Sequence, residues 1–98
     1  MKLSEPQKRH LKGLAHHLKP VVIIGQAGVT EGVLGEIGVA LDFHELIKVK
    51  VNAGEREERD AMIEAITTAT GAVFINRIGH VAIFFRRNSR KPKVVLPA

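Results

Sequence analysis

The chain has 98 residues, with 15 Lys and Arg against 10 Asp and Glu, a net charge of +5 and no cysteine. That length fits one domain, residues 1–98, because two halves would each fall near the size at which a core alone rarely stabilises a fold. The missing cysteines exclude disulfides, Cys zinc sites and a thiol nucleophile; a 45% hydrophobic composition excludes a disordered chain; and no apolar run, Val21–Ile24 included, is long enough to span a bilayer.

The first ten residues, MKLSEPQKRH, meet charge and Pro6 at once, which leaves no signal-peptide core and makes the cytoplasm the expected compartment. Ser4 with Gln7 reads as a capping box, and Pro6 suits a first helical turn. Leu11, Leu14, Ala15 and Leu18 recur at helical spacing until Pro20 forbids continuation, so a first helix is predicted over Ser4 to Leu18. Lys8, Lys12, His16 and Lys19 share its other face, with Arg9 beside them. Val21–Ile24 then reads as a short buried strand, and Gly25-Gln26-Ala27-Gly28 as a tight loop.

Thr30 is a good N-cap for a second helix whose apolar stripe is Val33, Leu34, Ile37 and Leu41. Gly32, Gly35 and Gly38 fall on one side of it, each at a cost of up to about 1 kcal/mol relative to Ala, so close approach of a sheet or a ligand is expected there. Leu46–Val51 alternates from Ile47 onward and forms a strand that shows Lys48 and Lys50 on its polar face, with Asn52-Ala53-Gly54 breaking it. A third helix starts near Arg56, buries Met62, Ala65, Ile66 and Ala69, and is closed by Gly71. Acids around Glu55, Glu57, Glu58 and Asp60 suit its N-terminal dipole rather than a metal. Ala72–Ile78 and Val81–Arg86 form a hairpin through Gly79-His80, and Asn88 to Ala98 is an extended basic tail whose Val94–Leu96 can pack back. The order α-β-α-β-α-β-β, with two βα units and a closing hairpin, implies a small mixed sheet of the α+β class with helices two and three packed on it.

Charge is segregated along the chain. Residues 1–30 carry +4, residues 31–76 carry −5 and residues 77–98 carry +6. A basic face assembled from the two ends would attract polyanions. No enzyme emerges from the candidate residues. Ser4 is a cap, His16 and His17 point about 100° apart on a helix, His10, His44 and His80 have no ligand spacing, and the carboxylates cluster only on helix three beside Arg56 and Arg59. No cofactor or metal is implied. The Gly25–Gly28 loop lies between a strand and a helix, where backbone N–H groups favour phosphate. It lacks the second Gly of a dinucleotide fingerprint and the Lys of a P-loop. A turn with unusual backbone angles accounts for a lone GxxG as readily as the backbone clamp that KH domains use.

Leu14-Ala15-His16-His17-Leu18-Lys19-Pro20-Val21-Val22, Ile24-Gly25-Gln26-Ala27-Gly28 and Glu45-Leu46-Ile47-Lys48-Val49-Lys50-Val51, with Ala69-Thr70-Gly71 and Ile78-Gly79, together resemble the YhbY-like proteins. These are the stand-alone bacterial members of the CRM (chloroplast RNA splicing and ribosome maturation) domain family. The resemblance runs from about Leu3 to Arg86. It implies a two-layer βαβαββ core with sheet order 1-2-4-3, similar to the C-terminal domain of bacterial translation initiation factor three, preceded by an extra N-terminal helix. It also implies RNA as the partner, specifically ribosomal RNA of large-subunit precursors, with no membrane and no small-molecule substrate. The contacts it implies are the loop Gly25, Gln26, Ala27 and Gly28 together with the basic first helix, Lys8, Arg9, Lys12, His16 and Lys19. Arg86 and Arg87 are further candidates, and Lys48 and Lys50 can be either contacts or ordinary strand polarity. Family members often carry Lys or Arg where this chain has Gln26, which reduces the loop's electrostatic share. With no Trp or Tyr and four Phe, recognition is expected to lean on phosphates and shape rather than on a stacking platform. The competing reading is a protein-binding adaptor that uses its polarised charge.

Overall fold

A computed structural model describes residues 2–52 and 54–98. Ala53, expected in a strand-breaking turn, lies outside the described residues. The elements follow the predicted order: α1 (Glu5–Ala15), β1 (Pro20–Ile24), α2 (Glu31–His44), β2 (Leu46–Val51), α3 (Arg56–Thr70), β3 (Val73–Ile78) and β4 (Val81–Phe85). The four strands form one sheet in the order β1-β2-β4-β3. β1 and β2 run parallel, and β4 is antiparallel to both β2 and β3.

Local chemistry accounts for the helix starts. Ser4 and Gln7 close a reciprocal capping box at 3.0 and 3.2 Å, and Thr30 accepts the Val33 N–H at 3.1 Å. Glu57 and Glu58 occupy the first turn of α3, and Gly71 ends that helix at φ +73°.

Alternation along the strands divides the core between the two faces of the sheet. Val22, Ile24, Ile47, Val49, Val51, Ala82 and Phe84 face α2 and α3, where they meet Ile37, Leu41, Ile63 and Ile66. Leu46, Ile83 and Phe85 face the other way, onto Leu3, Leu11 and Ala15, with Val94 and Leu96 of the tail packed beside them. The two-layer core therefore carries a partial third layer, built from α1 and the tail.

Four local expectations are corrected. α1 stops at Ala15 rather than Leu18, because Pro20 already pairs with Lys48 as a strand residue and holds the preceding Lys19 extended. Leu18 thus falls outside the helix and Leu14 sits on its flank, and both are exposed instead of completing the apolar stripe. β1 is an edge strand and is not buried on both faces; Val21 and Ile23 project from the side that α1 leaves uncovered, with Ile23 63% exposed. On α3 the inward residues are Ile63 and Ile66 with Met62 half-buried, while Ala65 and Ala69 face outward. Finally, the α2 glycines meet no close internal neighbour: a Cβ at Gly35 or Gly38 would find nothing within 4 Å, and one at Gly32 only Thr30 Oγ1 at 3.8 Å.

Candidate nucleic-acid interface

α1 crosses the second face of the sheet with its two flanks occupied differently. Helical spacing places Gln7, His10 and Leu14 on one flank and Arg9, Lys12 and His16 on the other. The first flank holds the tail: Gln7 Nε2 donates to the Pro97 carbonyl at 3.0 Å, and the His10 ring lies 2.9 Å from the Val95 carbonyl. The second flank overlooks bare sheet. Arg9, Lys12, Gly13 and His16 line a hollow of about 530 Å³ with Lys48, Ile78 and Ile83. It adjoins a smaller one of about 300 Å³ bounded by His16, Pro20, Lys48, Ile78, Val81 and Ile83.

Strand alternation explains why Lys48 and Lys50 join this face. Val49 and Val51 are buried against the helices, so their neighbours Lys48 and Lys50 point to the α1 side. Lys48 Nζ also donates to the Leu18 carbonyl at 3.1 Å, which ties the segment after α1 to the sheet. Lys50 lies opposite Ile23 on one side and Val81 on the other. Beyond it, at the C-terminal end of β1, comes the Gly25–Gly28 loop.

In that loop the Gly28 N–H closes the turn on the Gly25 carbonyl at 3.1 Å, and Gly28 sits at φ +74°. Glycine at 28 is thus demanded by the backbone. At Gly25 a Cβ would meet nothing within 4 Å, and Gln26 and Ala27 are exposed at the tip. Gly25 lies five residue steps along the strand from Pro20, a span of roughly 16 Å. The hollow, Lys50 and the loop therefore follow one another along β1 and β2, and the loop does not sit against the basic helix.

The remaining predicted residues separate from this track. Lys8 is half-exposed and lies 3.8 Å from Glu5. Lys19 lines a different, apolar hollow with Leu14, Leu18, Val21 and His44. Arg86 bonds the carbonyls of Thr70 and Gly38 and the Asp42 carboxylate at 2.8 to 3.0 Å. Arg87 bonds both Glu45 carboxylate oxygens at 3.1 Å and the Val94 carbonyl at 2.9 Å, over the Phe85 ring. Both guanidinium groups join elements of the fold to one another.

Glu45 is the residue sequence reasoning missed. It is fully buried, and its carboxylate accepts the backbone N–H groups of Asn88, Lys93 and Val94 at 2.6 to 2.8 Å as well as Arg87. Burial alone would push its carboxyl up. The three N–H donors and the guanidinium outweigh burial and hold it below the usual glutamate value. A single acid between a helix and a strand carries no spacing signal that could have revealed this.

Most of the other acids lie on the opposite side of the molecule, Glu5 of α1 excepted. Glu31 and Glu36 on α2, and Glu57, Glu58, Asp60 and Glu64 on α3, belong to the helix layer behind the sheet. Among the described residues, no three His, Asp or Glu side chains gather where they could hold a metal ion, and no helix is long and apolar enough to cross a membrane.

The comparisons with known proteins agree with this architecture. The CRS1 / YhbY (CRM) domain matches residues 3–86. The chain belongs to that family. A protein of Haemophilus influenzae named RNA-binding protein is 52% identical over 95 residues, covering 97% of this chain and 95% of the relative. A Pseudomonas aeruginosa relative, named a probable RNA-binding protein, is 41% identical over 93 residues, covering 95% of this chain and 89% of its own length. The solution structure of a hypothetical protein from Staphylococcus aureus superposes with a TM-score of 0.84 at 30% identity, over 98% of this chain and all of that one. The CRM family fold, with its mixed four-stranded sheet and additional N-terminal helix, is thus the fold of this protein.

Proposed function

We propose that this protein is a non-catalytic, cytoplasmic RNA-binding protein, a single CRM-like domain that associates with precursors of the large ribosomal subunit and assists their assembly. The observation that carries the RNA reading is the convergence of Arg9, Lys12, His16 and Lys48 on one hollow of the half-covered sheet face, while the acids of α2 and α3 belong to the helix layer behind. Such a dipolar arrangement presents cations to a polyanion and turns like charges away from it. The relatives named as RNA-binding support the same partner. In this reading Lys50 and the tip of the Gly25–Gly28 loop continue the contact from the hollow, with Lys8 at its margin. Lys19, Arg86 and Arg87 are left to the fold.

Cross-linking in cells followed by sequencing of the bound RNA tests both levels. Reads concentrated in large-subunit ribosomal RNA, and lost in the Arg9→Glu/Lys12→Glu variant, are expected. Reads spread over unrelated transcripts would overturn the ribosomal part, and no recovery of RNA above background would overturn the whole.

The adaptor alternative draws on a different surface. Leu14, Leu18, Val21, Val39 and Phe43 are exposed apolar side chains near the β1 edge, and Phe43 is 66% exposed. That reading requires structured RNA to bind no better than a heparin-type polyanion, and Phe43→Ser to impair function without altering RNA titrations.

A further inference from the structure

The hollow beneath α1 is more than a basic patch. Its rim carries Arg9, Lys12, His16 and Lys48, whereas its floor is aliphatic, made by Ile78 and Ile83 and continued by Val81. No lining side chain is acidic. Ile78 is the last residue of β3 and is 64% exposed, on the same open face as Lys48 and Lys50 and the exposed Ile23. Its volume of about 530 Å³ is that of a small-molecule site. The space exists because α1 packs on Leu46, Ile83 and Phe85 and leaves the Ile78–Val81 end of that sheet face uncovered.

We propose that this hollow binds one unpaired nucleotide of the RNA, its base laid on the Ile78/Ile83 floor and its flanking phosphates held by Arg9, Lys12 and Lys48. The inference rests on the RNA-binding reading above and specifies which feature of an RNA that site selects. A polyanion alone would be served by cations on an open surface; the apolar floor adds contact for a flat, weakly polar ring. A base inside a helix has both faces covered by its neighbours, so only a bulged, looped or terminal nucleotide can offer a face to a recessed floor. An aliphatic floor makes no hydrogen bonds to base edges, so it selects for being unpaired and not for a particular base. This places structure selection under α1, separate from the phosphate-facing loop at the far end of β1.

The test uses three RNA stems of identical sequence, titrated at one salt concentration: one fully paired, one with a single unpaired nucleotide, and one with an abasic residue at that position. The expected result is that the unpaired nucleotide tightens binding about tenfold over the paired stem and that the abasic stem loses the gain. Ile78→Ser should abolish the gain, bringing the affinities for the three stems together, since it alters the floor and no cation. Ile78→Trp, which supplies a stacking surface, should enlarge it. Equal affinity for all three stems, or an undiminished gain in Ile78→Ser, overturns the nucleotide site while the RNA-binding reading stands. Failure of the wild-type protein to bind any RNA, stems and natural transcripts alike, removes both.

Discussion

Glu45 joins three parts of the chain through one side chain. It ends α2 at φ +61°, a conformation unfavourable for a residue with a Cβ, and its carbonyl accepts the Arg86 N–H at 2.9 Å. The strain is held in place because the carboxylate accepts three tail N–H groups, of Asn88, Lys93 and Val94, at once. Glu45→Gln substitutes a neutral amide, whose NH₂ faces N–H donors and whose neutrality leaves Arg87 without its counter-charge. A loss of about 3 kcal/mol is expected in urea unfolding, in line with breaking a buried pair. The sign of the pH dependence follows from the lowered carboxyl. The unfolded chain takes up the proton first, so the stabilisation is complete above the ordinary glutamate value of about 4.3 and is lost as pH falls through the lower folded value. The stability gap between wild type and Glu45→Gln should therefore be constant near neutrality and narrow only below that value. The tip of the Gly25–Gly28 loop gives a contrasting pair. Ala27→Asp sets a carboxylate where phosphate is expected, and Gln26→Lys adds a flexible cation there. Both side chains are exposed, so melting temperatures should stay put while RNA affinity moves in opposite directions. No change from either would assign the loop a purely structural role.

Among the elements, those with both a cap and a period were legible from residues alone. Ser4/Gln7, Thr30 and Gly71 fixed three helix ends because each acts through hydrogen bonds or φ preferences local to it. The strand alternation of β2 likewise separated Lys48 and Lys50 from the core, since it depends only on the pleat. What depends on packing at a distance was not legible. Nothing in Val21–Ile24 says that β1 lies at an edge, and nothing in Arg86 or Arg87 says that their partners lie on α2 and in the tail. The order β1-β2-β4-β3 came from family resemblance, because strand patterns constrain pairing partners far less than they constrain faces. The α2 glycines test this boundary. Gly35 has open space where its Cβ would stand, so Gly35→Ala should gain about 1 kcal/mol of helix stability and raise the melting temperature by roughly 4–8 °C. If a ligand approaches α2 closely, the same substitution will weaken RNA binding as it stabilises the fold; titration beside the melt separates the two.

At the scale of the whole molecule, the fold converts a charge segregation along the chain into one across the sheet. The acidic middle segment becomes the α2/α3 layer, while α1 brings the basic N-terminal residues to the opposite face, beside Lys48 and Lys50. Only part of the formal charge is available there, because Arg86 and Arg87 are consumed by the α2 and tail contacts. The salt dependence of binding counts what remains. Each phosphate neutralised on a single strand contributes about −0.7 to the slope of log affinity against log salt. Arg9, Lys12, Lys48 and Lys50 then give an expected slope of about −3, less than the basic ends would suggest if every cation took part. Arg9→Glu/Lys12→Glu should roughly halve the slope, to about −1.4 or shallower. Both side chains are exposed and make no internal ion pair among the described residues, so the melting temperature should be nearly unchanged. A wild-type slope much steeper than this would mean that the tail cations Arg90, Lys91 and Lys93 also touch RNA. A flat one would mean that the cationic face is not the contact. An unchanged slope in the variant, with weakened binding, would move the phosphates off α1 and onto Lys48, Lys50 and the loop.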